Sequence, residues 1–336
     1  MARTILACDA SAGSDLIFLS HAWALDARAA RALPRARHGR RQILTTETTL
    51  ALLGAPGTRL RAHALLAGLG RPFALGELRL ELYASGHAPG AASLLCEIGT
   101  GPAARRVVYA GVLGAGDTPA VRPADALCVD ATFGAPRFAF PPAAEALAEA
   151  RRLVLEALAR GRAPLLLVEP SAAALAVAAN LVEAGVGVRG ARAVVQLAAA
   201  HARANLAAPP VQRWDGKLRP GEALLWPAAA REAKQLGRLE SPTAILVSGR
   251  AREPGELGRA RADQGVPLSD RADFADLLRY VEATGAREVA LLHAPGDELA
   301  KTLRARGIDA YPLGPPRQIA LFSGAPDTPA HVVSAV

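Results

Sequence analysis

The sequence is poor in several things, and each shortage narrows its roles. It has three cysteines, Cys8, Cys96 and Cys128. They form no CxxC pair and their number is odd, which argues against a disulfide framework or a zinc knuckle and for reduced thiols inside apolar runs. No uninterrupted apolar run approaches the roughly 18 residues that a membrane-spanning helix needs. The opening stretch, MARTILACDA, lacks the charged-then-apolar layout of a secretion signal, so the expected location is the cytoplasm, with no membrane partner. A GxSxG nucleophile elbow and a GxxxxGK[ST] phosphate loop are both missing. Lysine is scarce as well: of 39 basic residues only Lys217, Lys234 and Lys301 are lysine.

What is present is arginine, carrying a net charge of +8 on 336 residues. Arginine forks match phosphate oxygens and give salt-dependent affinity for nucleic acid. A base-composition bias toward Ala and Arg codons explains the same count, and composition does not choose between the two. The run Arg28 to Arg41, RAARALPRARHGRR, carries Arg35, Arg37, Arg40 and Arg41 as candidate nucleic-acid contacts; a solvated helix-and-loop face reads the same way.

Short apolar runs bounded by Gly, Pro and Asp predict strands at TILACD, DLIFLSH, QILTT, LRLELYASG, SLLCEIG, RRVVYAG and DALCVDATFG, all within the first 135 residues. From Pro141 to Arg160 the spacing turns helical. A parallel-sheet pattern follows, with strands at PLLLVEP, RAVVQL, LLWP and AILVSG and a helix at SAAALAVAANLVEAG. The tail from Leu268 reads helix, strand, helix, strand. Leu206 to Leu218 is the clearest long loop. Trp214 in that loop and Trp226 after a strand are candidates for stacking on bases or on a partner.

Five segments, taken in order, resemble the β-CASP nuclease branch of the metallo-β-lactamase fold. LSHAWALDA, Leu19 to Ala27, is similar to the loop that carries HxHxDH; here the hexad runs His21, Ala22, Trp23, Ala24, Leu25, Asp26. SGHAPGAASLLCEIG, Ser85 to Gly99, is similar to the GHxxGSA segment and places His87 as its histidine. RRVVYAGVLG, from Arg105, matches the strand that ends in Gly-Asp, with Val112 at the aspartate. VDATFGAPRFAFPP, Val129 to Pro142, is similar to the E(A/S)TFG-P turn. The densest match runs from Ile245 to Gly296 and resembles SG...SDHAD...ATGA...THG of bacterial ligase-associated DNA exonucleases, with Arg271 in place of one histidine and His293 retaining the other. VEPSAAALAVAANL, Val168 to Leu181, lacks the GK/GR-x-Q residues of that branch.

The resemblance implies an α/β architecture, an αββα metallo-β-lactamase sandwich with an inserted α/β β-CASP domain. Residues 1–142 and 266–336 would form the sandwich and 143–265 the insertion. It also implies a damaged metal centre. A two-metal phosphodiesterase activates a bridging hydroxide between two cations about 4 Å apart, and each needs three or more ligands. On the family pattern one metal would keep His21 and His87 and lose its imidazole at Trp23. The other would keep His293, with Asp26 as a substitute ligand, losing its aspartate at Leu25 and the bridge at Val112. Leucine and valine also remove charge that would offset the dications. The expectation is therefore no catalytic residues and no cofactor, with zinc confined to a residual set of His21, His87, Asp26 and His293.

Three roles remain open at this point. One is a catalytically degenerate nucleic-acid-binding or non-catalytic partner subunit, alongside an active β-CASP nuclease or other components of DNA repair or RNA processing. The second is a working metal-dependent exonuclease with a rearranged site, and the third a structural protein. Arg271 is the residue expected to contact phosphate, or to neutralise Asp26 or Asp270. Asp270 is also a retained pocket residue, and Asp270 and Asp273 are expected to cap or tether the helix starting at Phe274. Asp26 reads equally as a helix-start residue. His38, His63, His201 and His331 fall outside the motifs and are expected at the surface.

Overall fold

Alternating apolar runs too short for helices pair first with their sequence neighbours, and most of the strands arise this way. The computed structural model describes residues 6–10, 16–24, 42–99, 101, 104–116 and 119–314, a mixed α/β chain with three sheets among the described residues. Leu25, Asp26, Arg35, Arg37, His38, Arg40, Arg41 and His331 lie outside the described residues.

The first sheet is parallel: β1 (Leu6–Cys8), β2 (Leu16–Phe18), β3 (Gln42–Thr45) and, after helices α1 (Glu47–Leu52) and α2 (Ala55–Leu60), β4 (Ala64–Leu66). Thr46 caps α1 by accepting from the Thr49 amide. An antiparallel run follows through β5 (Phe73–Leu75), β6 (Leu78–Ala84), β7 (Ala92–Ile98) and β8 (Arg105–Gly111), and β9 (Ala126–Asp130) then pairs parallel to β8. Cys8, Cys96 and Cys128 all sit in strands as free thiols, as expected.

A central segment then forms its own parallel sheet. Helix α3 (Ala143–Ala159) precedes β10 (Ala163–Val168), α4 (Ala172–Glu183), β11 (Gly187–Gly190) and α5 (Arg192–Arg203). Next come β12 (Gln212–Arg213), β13 (Glu222–Pro227), β14 (Pro242–Val247), α6 (Glu256–Ala260) and β15 (Gln264–Val266), giving the strand order β12-β11-β13-β10-β14-β15. RAVVQL, expected as a strand, is the start of α5. Its valine pair mimics a strand locally, but Val194, Leu197, Ala198 and His201 bury one face at helical spacing, and the strand of this unit is the less apolar β11 before it.

The chain returns through α7 (Phe274–Thr284), β16 (Glu288–Leu292), α8 (Glu298–Ala305) and β17 (Asp309–Leu313). Strand β16 pairs parallel to β9 and completes a seven-stranded sheet with β17 at its edge. Phe18 and Leu44 of the first sheet pack on Leu80, Leu82 and Leu94 of this one, so the two sheets lie face to face. Helices α7 and α8 cover the outer face of the second sheet through Leu277, Val281, Leu299 and Leu303, while Leu50 and Leu60 of α1 and α2 cover that of the first. Each fully buried Leu or Val there contributes about 1.5–3 kcal/mol. No described helix is long and apolar enough to cross a membrane.

Candidate functional site

Parallel strands leave their carboxyl ends on one side, where the chain turns and side chains are free to converge. Here the ends of β1, β2, β8, β9 and β16 meet those of β10 and β14. Between them lies a cleft of about 760 Å³ whose lining includes Asp9, His21, Val112, Asp130, Arg271 and His293. Register explains one pair directly. Leu292 lies opposite Asp130 in the β16–β9 pairing, so the next residue, His293, meets the carboxylate, and its Nδ1 is 2.7 Å from Asp130 Oδ2.

Two of the five non-glycine residues with left-handed backbone among the described residues, Asp9 (φ 51°) and His293 (φ 54°), line this cleft. Such conformations cost about 1–3 kcal/mol each and persist where the surroundings hold them. Asp9 is held by three donors: the Ser20 amide at 2.8 Å, Ser20 Oγ at 2.5 Å and the Tyr109 hydroxyl at 3.0 Å. Since the single Ser20 hydroxyl proton goes to Asp9, Ser20 Oγ accepts from His21 Nδ1 at 2.8 Å. Burial raises the Asp9 carboxyl above its usual range, against the pull of these donors.

His87 rides on the turn between β6 and β7, between Gly86 (φ 75°) and Gly90 (φ 76°). A side chain at Gly90 would come within 2.6 Å of Thr48 Cβ and 2.8 Å of the Thr49 amide, so only glycine fits against α1 there. His87 Nδ1 faces the Asp270 carbonyl at 3.3 Å and the Asp270 carboxylate at 3.7 Å. The rings of His21 and His87 stand edge to face, 5.0 Å apart. Burial pushes both below the ordinary histidine range, His21 to about 3, with the charges of His87 and Arg271 adding to the effect at His21.

The opposite wall carries the charge. Burial alone would raise Asp130; the His293 hydrogen bond, the Arg271 cation and Thr132 outweigh it and hold the carboxyl low. Arg271 Nη1 lies 3.8 Å from Asp130 Oδ1 and 3.4 Å from Thr132 Oγ1, with its side chain 30% exposed. The Asp130 hydrogen bond raises His293 in turn. Trp23 closes the far end: its ring lies 6.3 Å from His21, 6.5 Å from His87 and 6.3 Å from His201. Among the described residues, no group of three or more His, Cys, Asp or Glu side chains converges closely enough to hold a metal ion.

No protein-family model matches the sequence. Over 247 residues, 72% of this chain, it is 28% identical to a probable DNA ligase of Opitutus terrae. The chain spans 24% of that protein's length. The similarity is to part of a longer DNA-enzyme sequence.

Set against expectation, the structure brings His21, Trp23, His87, Val112, Asp270, Arg271 and His293 to one region. Three placements differ. Asp270 does not cap α7; its Oδ2 accepts from the Ala173 amide at 3.3 Å, in the first turn of α4, whose own N-cap Ser171 makes no side-chain bond. Asp273 does cap α7, through the Asp276 amide, and also takes the Phe140 amide. His201 is buried rather than at the surface, because it falls on the inward face of α5. Trp214 and Trp226 pack edge to face on each other at 5.6 Å, Trp226 buried in the central core and Trp214 partly buried against it. Asp9, Tyr109 and Asp130 are not among the site residues expected from the sequence. Asp130 alone carried a signal, as the acid that opens the VDATFG segment.

Proposed function

We propose that this chain is a metallo-β-lactamase-fold protein of the β-CASP branch whose catalytic centre has been dismantled, and that it binds nucleic acid without cleaving it, as a subunit in DNA end processing. In this reading residues 1–142 and 266–336 form the lactamase-like domain and 143–265 the β-CASP insertion. The similarity to a stretch of a protein described as a probable DNA ligase supports a DNA-related role over an RNA one. The helix–sheet–sheet–helix layering and the separate parallel sheet are compatible with the fold that the sequence motifs imply.

The observation that carries the proposal is Arg271 beside Asp130 and His293. His21, His87 and His293 each commit Nδ1 to an oxygen, the way metal-binding histidines are oriented, so the supporting shell of a metal site survives. The donors that would complete it do not. Val112 lines the cleft where the family's bridging aspartate would stand, Trp23 fills the place of an imidazole, and the Arg271 guanidinium compensates Asp130 in the manner of a built-in cation. These residues do not fit a pair of divalent metals. They fit a phosphate group, because a partly exposed guanidinium with unspent donors offers charge-assisted hydrogen bonds to phosphate oxygens without any metal.

The test is fluorescence anisotropy of a labelled oligo-dT strand against salt, with the Arg271→Ala variant, beside a cleavage assay on the same strand with zinc or manganese. Expected are salt-sensitive binding that weakens severalfold in Arg271→Ala and no shortening of the strand. Cleavage above background, or binding indifferent to salt and to Arg271, refutes the proposal.

A further inference from the structure

A second concavity, about 700 Å³, lies at the opposite end of the central sheet, against the amino ends of β10, β13 and β14. Strand β10 starts at Ala163 in this hollow and leads to Glu169 in the cleft, so the two are roughly 20 Å apart along the strand direction. Four exposed cations surround it: Arg162, Lys217, Arg219 and Arg238. Among the described residues more than half of the arginines are matched to carboxylates, but none of these four side chains forms an ion pair there. Arg162 spends one Nη on the Pro242 carbonyl, and Arg238 lies against Gly216, whose φ of 106° lets the 215–221 loop fold over it.

The acids nearby do not cancel this charge. Glu222 is taken by the Arg189 guanidinium at 2.7 Å and the Arg219 amide at 2.9 Å, leaving Asp215 and Glu240 against four cations. The floor is apolar, with Leu158, Leu218 and Leu239. One helical turn back from Leu158, Leu155 is 44% exposed. A continuous phosphate track would meet the carboxylates of Asp215 and Glu240 and gain nothing from the leucines. A peptide that alternates acidic and apolar side chains uses both features.

We propose that this hollow docks an acidic segment, carrying apolar side chains, of a partner protein. It rests on none of the cleft residues, so it stands or falls separately from the nucleic-acid reading. The test uses a fluorescein-labelled peptide of Glu-Glu-Leu repeats, a Lys-Lys-Leu control and the oligo-dT strand, with wild type, the exposed double variant Arg219→Glu/Arg238→Glu, and Leu155→Ser. Expected are saturable binding of the acidic peptide alone, at least tenfold weaker in the double variant and severalfold weaker in Leu155→Ser, with oligo-dT affinity and circular dichroism unchanged. Equal binding of both peptides, or no effect of either variant, overturns the proposal. Loss of oligo-dT binding in the double variant also overturns it, by making the hollow a nucleic-acid surface. Arg271→Ala, which weakens oligo-dT binding in the cleft, leaves the peptide affinity as it was.

Discussion

The indole of Trp23 lies nearly parallel to the imidazole of His201, their planes 14° apart and their centres 6.3 Å apart. One ring belongs to the loop after β2 and the other to α5 of the central segment, so this stack ties two separately built units together at the end of the cleft. His201 is fixed for the purpose, since its Nδ1 donates to the Leu197 carbonyl one turn back. Trp23 also joins two small apolar clusters, one with Leu52 and Ala200, the other with Leu175 and Leu197.

Removing that ring should therefore loosen the junction. Trp23→Ala is expected to cost about 2–4 kcal/mol in urea unfolding, at the lower side for tryptophan truncations because Trp23 is only half-buried. Trp23→Phe should recover at least half. A loss below about 0.5 kcal/mol would mean the stack holds nothing together.

The buried His21 predicts a pH effect whose sign follows from linkage. Its folded value of about 3 lies below the ordinary 6.5, so between those limits the unfolded chain takes up a proton that the folded one refuses. Stability should be fully present above about pH 6.5 and fall on acidification, by about 1.4 kcal/mol per pH unit from this group. His87, also lowered by burial, adds in the same direction. In His21→Gln the slope of unfolding free energy between pH 6 and pH 4 should flatten by about that amount; an unchanged slope would assign the acid sensitivity elsewhere.

The Asp130–His293 pair works in the opposite sense. His293 is raised by its carboxylate partner, so its contribution is complete below the unfolded value near 6.5 and is lost as pH climbs through the folded one. With 73% of the His293 side chain exposed, solvent screening keeps this contribution small, and the readout is the titration itself. The His293 Cε1 proton resonance should titrate above pH 6.5 in the wild type and shift downward in Asp130→Asn. A midpoint indifferent to that substitution would rule out the pairing in solution.

Much of the arrangement was legible in the sequence because it is local. Runs such as LRLELYA and APLLLV announce strands by composition, and SAAALAVAANLVEAG announces its helix by periodicity. Local reading fails where tertiary contacts decide: Val194 and Val195 favour a strand, yet Val194 packs on the α5 face it shares with His201. The site followed the same rule. His21, His87, Arg271 and His293 sit in motif-like surroundings and come together in one region, whereas Asp9 and Tyr109 are an aspartate and a tyrosine 100 positions apart that only the pairing of sheets brings to one hydrogen bond. Asp270 misled because the helix next to it in sequence, α7, is capped by Asp273, leaving Asp270 to reach α4 in the other unit.

The Arg271 guanidinium beside Asp130 gives a last expectation. A resident ion that binds only the folded chain stabilises it by about 2.7 kcal/mol at a concentration one hundred times its dissociation constant, which shows as a raised melting temperature. In this cleft a dication would have to approach Arg271, which already lies 3.8 Å from Asp130, and would gain no carboxylate from Val112. Coulomb repulsion from the guanidinium and the missing ligands both weaken it. Added zinc or a chelator should therefore leave the melting temperature of the wild-type chain unchanged, with substoichiometric zinc after buffer exchange. In Val112→Asp/Arg271→His the cation is gone and two donors are added, so a zinc-dependent rise should appear. A zinc-dependent rise already present in the wild type would show that Arg271 does not stand in for the metal.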